Sequence, residues 1–278
     1  MATQSANRPA SRLEVRVPPK NQRRPAHIDR WLAFASPLIA ILLWEGTVRL
    51  GIMDDRFFPE PSAIASTAKD LVQSGELQRQ VGVTMARVGV GFAMGAVPGV
   101  MLGVAMGLSR HMEAILRPLV SALYPIPKIA VLPLIFLIFG FGEMSKYLAV
   151  ATSVFFVVLI NSAGGVAQIP VIYREVGSSF HLSRLQFVRT IALPGALPAI
   201  FVGLQVGLGV ALIAIIATEF VGAQSGVGFM IWQSWQVFRI KVMFVGLATI
   251  AILGFLSQTL LEVVRSWAIP WSPSNRRR

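Results

Sequence analysis

Few residues in this 278-residue chain could carry out bond chemistry. Its three histidines, His27, His111 and His181, are scattered, and none pairs with a carboxylate at a metal-ligand spacing. Cysteine is absent, which excludes disulfides and thiolate metal sites. There is no G-x-x-x-x-G-K-[ST] loop to cradle a phosphate and no G-x-S-x-G elbow to expose a serine nucleophile. No catalytic set, metal or cofactor is expected. What stands out instead is a polar island, Glu175 to Pro194, between the apolar runs 147–164 and 195–222. A water-facing stretch of this length in so apolar a chain calls for a partner. We read it as a docking element for a separate motor protein.

The rest of the composition explains why the island is unusual. Apolar residues make up 54% of the chain and charged residues 14%, against about 25% charged in an average soluble domain. The mean hydropathy is +0.65. Several segments run 18 or more residues with few charges, the pattern of helices that cross a bilayer. The net charge of +12 does not point to nucleic acid, because the basic residues sit between and beside apolar runs.

Residues 1–30 form a tail rich in proline and basic residues and are expected to be disordered. The body, 31–278, is expected to hold six spans at about 31–50, 82–108, 118–140, 147–165, 197–221 and 242–269, with a long polar loop at 166–194. In the first span, Glu45 and Arg49 have the i,i+4 spacing of an ion pair. Residues 62–72 show the apolar spacing of a surface-lying helix. In the second span Gly91, Gly95, Gly99, Gly103 and Gly107 recur every fourth residue, so that one helix stripe carries only hydrogens and a neighbouring backbone can come close. Gly203 and Gly207 begin a second such stripe in span five.

Pro125, Pro127 and Pro133 break the third apolar run, because each ring removes a donor and clashes one turn back. Broken backbone at membrane depth survives only where protein buries it or where it lines a cavity. Residues 121–128, with Ser121, Tyr124 and Lys128, are thus a candidate pathway wall; a break at the water interface is the other reading. Glu219, near the end of span five, is a second candidate wall residue. Arg87 and Lys128 are cations that could favour an anion in the pathway, or could pair structurally. With the N-terminus in the cytoplasm, sixteen basic residues fall on the cytoplasmic side and six on the other. This split favours both termini inside and places 175–194 in the cytoplasm, where ATP is available.

The chain resembles the permeases of ABC importers. Glu175 with Gly177, followed by Ile191-Ala-Leu193-Pro194, is similar to that family's EAA loop. The runs 58–62, 84–92, 125–133, 139–146 and 219–228 resemble the nitrate, sulfonate, taurine and bicarbonate branch, and the likeness spans about residues 58–232. Val176 and Gly177 stand where the family usually has two alanines. His181 stands where it has a glycine, between two short helices, at a position where left-handed backbone is easy only without a side chain. The resemblance implies an all-α membrane protein with a six-helix type-1 (MetI-like) transmembrane domain, working as a homodimer in the bacterial inner membrane. Its implied partners are cytoplasmic ABC ATPase subunits, which dock on the loop with Glu175 as the charged contact, and a periplasmic or extracellular binding protein. The chain itself is then a transport subunit and not an enzyme. A small anion such as a sulfonate, taurine or nitrate is the implied cargo. The alternative is a secondary transporter or channel in which 166–194 is merely a connector; the chain shows no internal repeat to favour it.

Overall fold

The computed structural model describes residues 26–271. Residues 1–25, most of the expected basic tail, and 272–278 lie outside the described residues. Among the described residues the chain is built from α-helices without strands. These are α1 (Ala26–Arg49), α2 (Pro61–Gln73), α3 (Glu76–Leu108), α4 (Arg110–Leu123), α5 (Lys128–Phe139), α6 (Glu143–Ala167), α7 (Val171–Ser179), α8 (Arg184–Phe187), α9 (Leu193–Gly222), α10 (Val227–Gln236) and α11 (Ile240–Ala268). A π-helical turn, Val188–Ala192, joins α8 to α9.

The core is the stack of α3, α6 and α9. Val88 of α3, Val150, Val154 and Val158 of α6, and Ala211 and Ile215 of α9 are its buried centre. The glycine stripe of α3 faces α6 along its whole length. A β-carbon on Gly99 would lie 2.9 Å from the Phe155 carbonyl oxygen, and one on Gly107 the same distance from that of Ala163. Gly91, Gly95 and Gly103 meet α6 in the same way. On α9, Gly203 and Gly207 take the opposite side of α6, against Asn161 and Val154. The two stripes let three backbones approach more closely than side chains would allow. By contrast α11 is largely unburied, with Phe255, Leu260 and Trp267 exposed, as expected of a helix facing lipid or a partner.

Four helical stretches are long and apolar enough to cross a membrane: α3, α6, residues 184–222 taken together, and α11. The pair α4 and α5, bent by 95°, makes a fifth if counted as one broken span. Over its described residues α1, a 24-residue helix, is not among them, so against the six spans expected there are four candidates, or five with the bent pair. Element ends also differ from expectation. The first helix starts at Ala26, inside the expected tail. Span two starts at Glu76, because Gly75 at φ 76 ends the α2 turn and lets a new helix begin at once. Span four starts at Glu143, directly after the Gly140 turn at φ 70. The mixed stretch 222–241 contains α10, and most of the loop 166–193 is helical. The Glu45–Arg49 pair forms at 2.6 Å. Glu45 also accepts from the Ser62 backbone N–H at 3.0 Å and its hydroxyl at 2.8 Å, which ties α1 to the start of α2.

Candidate functional site

At one end of the bundle the polar island is a helix–turn–helix. Its turn is set by three backbone bonds. The Phe180 N–H donates to the Val176 carbonyl, the His181 N–H to Ser178 at 3.0 Å, and the Leu182 N–H to Gly177 at 3.0 Å. This is the Schellman arrangement, which needs a left-handed residue one position past the helix end. His181 fills it at φ 50. Histidine tolerates this region better than most side chains, yet still loses free energy relative to glycine. His181→Gly is expected to raise local stability by about 1 kcal/mol or less and to leave transport coupling intact. Slower exchange of the Leu182 amide is the measurement; faster exchange, or lost coupling, would show that the imidazole itself is needed.

Gly177 is the buried position of α7. A β-carbon there would meet the Phe187 ring at 2.9 Å and the Ile191 side chain at 3.3 Å, so α7 is seated directly on the second half of the element. Ser183 and Gln186 close a reciprocal capping box at the start of α8, with bonds of 3.3 and 2.8 Å. Pro194 has no N–H, and its ring crowds the carbonyl one turn back. The chain widens just before it: the Leu193 N–H reaches the Val188 carbonyl, five residues away. Helix then runs without a break from Arg184 to Gly222, 39 residues. Leu193 and Pro194 therefore lie inside continuous helix. Glu175 is exposed on α7, and its carboxylate has no partner among the described residues.

A second polar site lies at the other end of the bundle. The Arg87 guanidinium donates through Nε and Nη2 to both oxygens of Glu143, each at 2.7 Å. Its Nη1 donates to Glu219 at 2.8 Å and to the Ser225 carbonyl at 2.6 Å. Glu219 is fully buried and also accepts from Thr84 at 2.9 Å and from the Gly228 N–H at 2.9 Å. Thr84 in turn accepts from the Val227 N–H at 2.8 Å, and Gln80 from that of Gly226. Lys146 completes the group with a 3.0 Å bond to Glu143. Two cations and two carboxylates thus balance, and the N-terminal turn of α10 is bolted to α3, α6 and α9. Gly226 sits at φ 111, with the Glu219 carboxylate occupying the place of a β-carbon.

This cluster takes in two of the charged residues expected in the spans. Glu219 has no exposed surface; desolvation forces it to pair, and it pairs with Arg87. Arg87 likewise takes the structural reading. Glu143, Thr84, Gln80 and Ser225 were not singled out from the sequence. The available signal was the presence of opposite charges, Arg87 and Glu219, in two apolar spans, which must find each other in a medium without water.

The pathway candidates of 121–128 fall at the bend between α4 and α5. Ser121 and Tyr124 line a cavity of about 410 Å³ together with Arg117, Gly107 and Ala163. Lys128 is not in that lining. Its Nζ donates to the Leu123 carbonyl at 2.8 Å and lies 4.4 Å from the Phe156 ring centre. Leu123 is the carbonyl that Pro127 leaves without its i+4 donor; it accepts instead from the Ile126 N–H at 3.3 Å and from Lys128. Among the described residues, no group of three or more His, Asp or Glu is placed to hold a metal ion.

Residues 99–268 match the family model described as "Binding-protein-dependent transport system inner membrane component". The chain is 33% identical over 238 residues to SsuC of Bacillus subtilis (strain 168), named for aliphatic sulfonates transport as a permease, with 86% of each chain covered. It is 29% identical to the taurine transport system permease protein TauC of Escherichia coli (strain K12), covering 88% of this chain and 91% of that one. The nitrate import permease protein NrtB of Synechocystis sp. is 32% identical over 69% of this chain and 70% of its own. In fold, the chain is similar to a chain of the MetNI methionine ABC transporter in an inward facing conformation, with a TM-score of 0.61 at 20% identity, over 68% of this chain and 94% of that one.

Proposed function

We propose that this chain, which belongs to the family of binding-protein-dependent transport system inner membrane components, forms the translocation pathway for a small anionic solute and is moved by a separate ATPase through residues 175–194. As a multi-pass permease subunit of an ABC importer it is not an enzyme. ATP hydrolysis falls to another chain. The observation that carries the reading is the build of the loop. An exposed, unpaired Glu175 sits on α7, α7 is seated by Gly177 on Phe187 and Ile191, and those residues belong to the same unbroken helix as α9. A push on α7 therefore reaches a core helix without passing through flexible chain, as a rigid-body switch requires.

The anionic cargo is supported by the names of the relatives, which cover sulfonates, taurine, nitrate and bicarbonate. The remaining assembly is a second copy of this permease and a periplasmic or extracellular binding protein. The residues from 31 onward form the membrane domain, 166–194 is its cytoplasmic coupling loop, and both termini are cytoplasmic, in keeping with the basic-residue split. Glu175→Arg is expected to reduce ATPase co-purification, and with it taurine or nitrate uptake, by about tenfold or more through loss of one charged contact. Equal retention of the ATPase by both proteins, with uptake that persists without ATP, would overturn the reading.

A further inference from the structure

A cavity of about 790 Å³ lies between the α3–α4 corner and the α7–α8 turn. Arg110, His111, Arg174 and Arg184 line it, and no carboxylate does. The guanidinium groups of Arg110 and Arg184 make no ion pair or hydrogen bond among the described residues. Arg174 makes one weak bond, to the Val166 carbonyl at 3.4 Å. At this end of the bundle Arg117 holds Glu113 and Arg265 holds Glu262, while Arg189, outside the cavity, is also without a carboxylate partner among the described residues. Three unpaired guanidinium groups around one concavity repel one another until an anion enters, and the guanidinium fork matches phosphate oxygens.

Depth identifies the anion. The apolar run of α3 ends at Leu108, and Arg110 follows two residues later, across the extended Ser109 that turns the chain into α4. That is the level at which lipid phosphates begin, outside a hydrocarbon core about 30 Å thick. The same cavity has an apolar side formed by Leu108 and Phe187. We propose that it binds the phosphate headgroup of an anionic phospholipid, with Arg110, Arg174 and Arg184 on the phosphate and Leu108 and Phe187 on the adjoining acyl chain. The lipid would thereby bridge the fixed α3–α4 corner and the movable α7–α8 element.

The test uses the full chain with its ATPase in phosphatidylcholine nanodiscs containing a photoreactive phosphatidylglycerol. Cross-links are expected in the peptides that hold Leu108 and Phe187. Arg110→Gln with Arg184→Gln should cut that labelling about tenfold, whereas Arg239→Gln, at the far end of the bundle, should not. In the unsubstituted protein, raised salt should weaken phosphatidylglycerol labelling but not that by a phosphatidylcholine analogue, a check that stands even if the double variant misfolds. Labelling absent from these peptides, or unchanged in the folded double variant, overturns the proposal. So does displacement of the lipid by inorganic phosphate in equal measure, which would assign the cavity to a soluble anion. Labelling seen only when the ATPase is removed would give the cations to the motor protein instead.

Discussion

Replacing Arg87 by methionine is expected to lower the stability of the folded subunit by about 3–5 kcal/mol. The side chain is 4% exposed and donates five hydrogen bonds, two to Glu143, one to Glu219 and two to Ser225. Methionine would leave the Glu219 carboxylate buried with no cation, the costly half of a broken buried pair. A second change, Glu219→Gln, should recover a good part of the loss, because it removes the stranded charge and keeps the acceptor for Thr84 and Gly228. Arg87→Lys should fall between, since an ammonium cannot span both oxygens of Glu143 and reach Ser225 as well. Thermal unfolding of the reconstituted subunit reads all four proteins. If Arg87→Met unfolds with the unsubstituted protein, the cluster contributes nothing and its geometry is incidental.

Gly103→Leu is expected to abolish the folded bundle, and Gly103→Ala to cost about 1–3 kcal/mol. A β-carbon at this position meets the Ser162 β-carbon at 2.7 Å and the Ala163 backbone nitrogen at 3.2 Å, and backbone cannot rotate out of the way. The same helix supplies its own control. Gly89 is exposed, with nothing within 4 Å of an added β-carbon. Gly89→Ala should therefore be neutral or stabilising by up to about 1 kcal/mol, the ordinary gain in helix propensity. Equal losses at both positions would mean that α3 is sensitive to side chains generally and that the close approach to α6 plays no special part.

These two regions were unequally legible in the sequence. The glycines of α3 repeat every fourth residue, so their shared face could be read from one helix alone. The prolines at 125 and 127 likewise marked a break that became the bend between α4 and α5, whereas Pro133 sits inside α5 without ending it. The loop could be read as a unit because its signals are local: a glutamate, a glycine and a terminal proline within twenty residues. The Arg87 cluster could not, because its bonded members lie up to 146 residues apart and nothing in local spacing joins them. Span ends were misplaced by four to six residues wherever a charged first turn, such as that of Glu143 or Glu76, continues an apolar helix into water. The 188–192 widening also escaped notice, since the proline that forces it reads equally well as a helix start.

The helix from Arg184 to Gly222 has a mechanical consequence. Gly203 stands nineteen residues from each end, and there the rod presses against Asn161 and the Val158 backbone of α6. A stiff beam held at its midpoint is a lever of equal arms, here about 28 Å each. A swing of the α8 end in one direction would load Glu219, near the other tip, in the opposite direction against its bonds to Arg87 and Thr84. The small residues at the fulcrum offer no interlocking side chains to resist such a tilt, while the Arg87 clamp fixes its far stop.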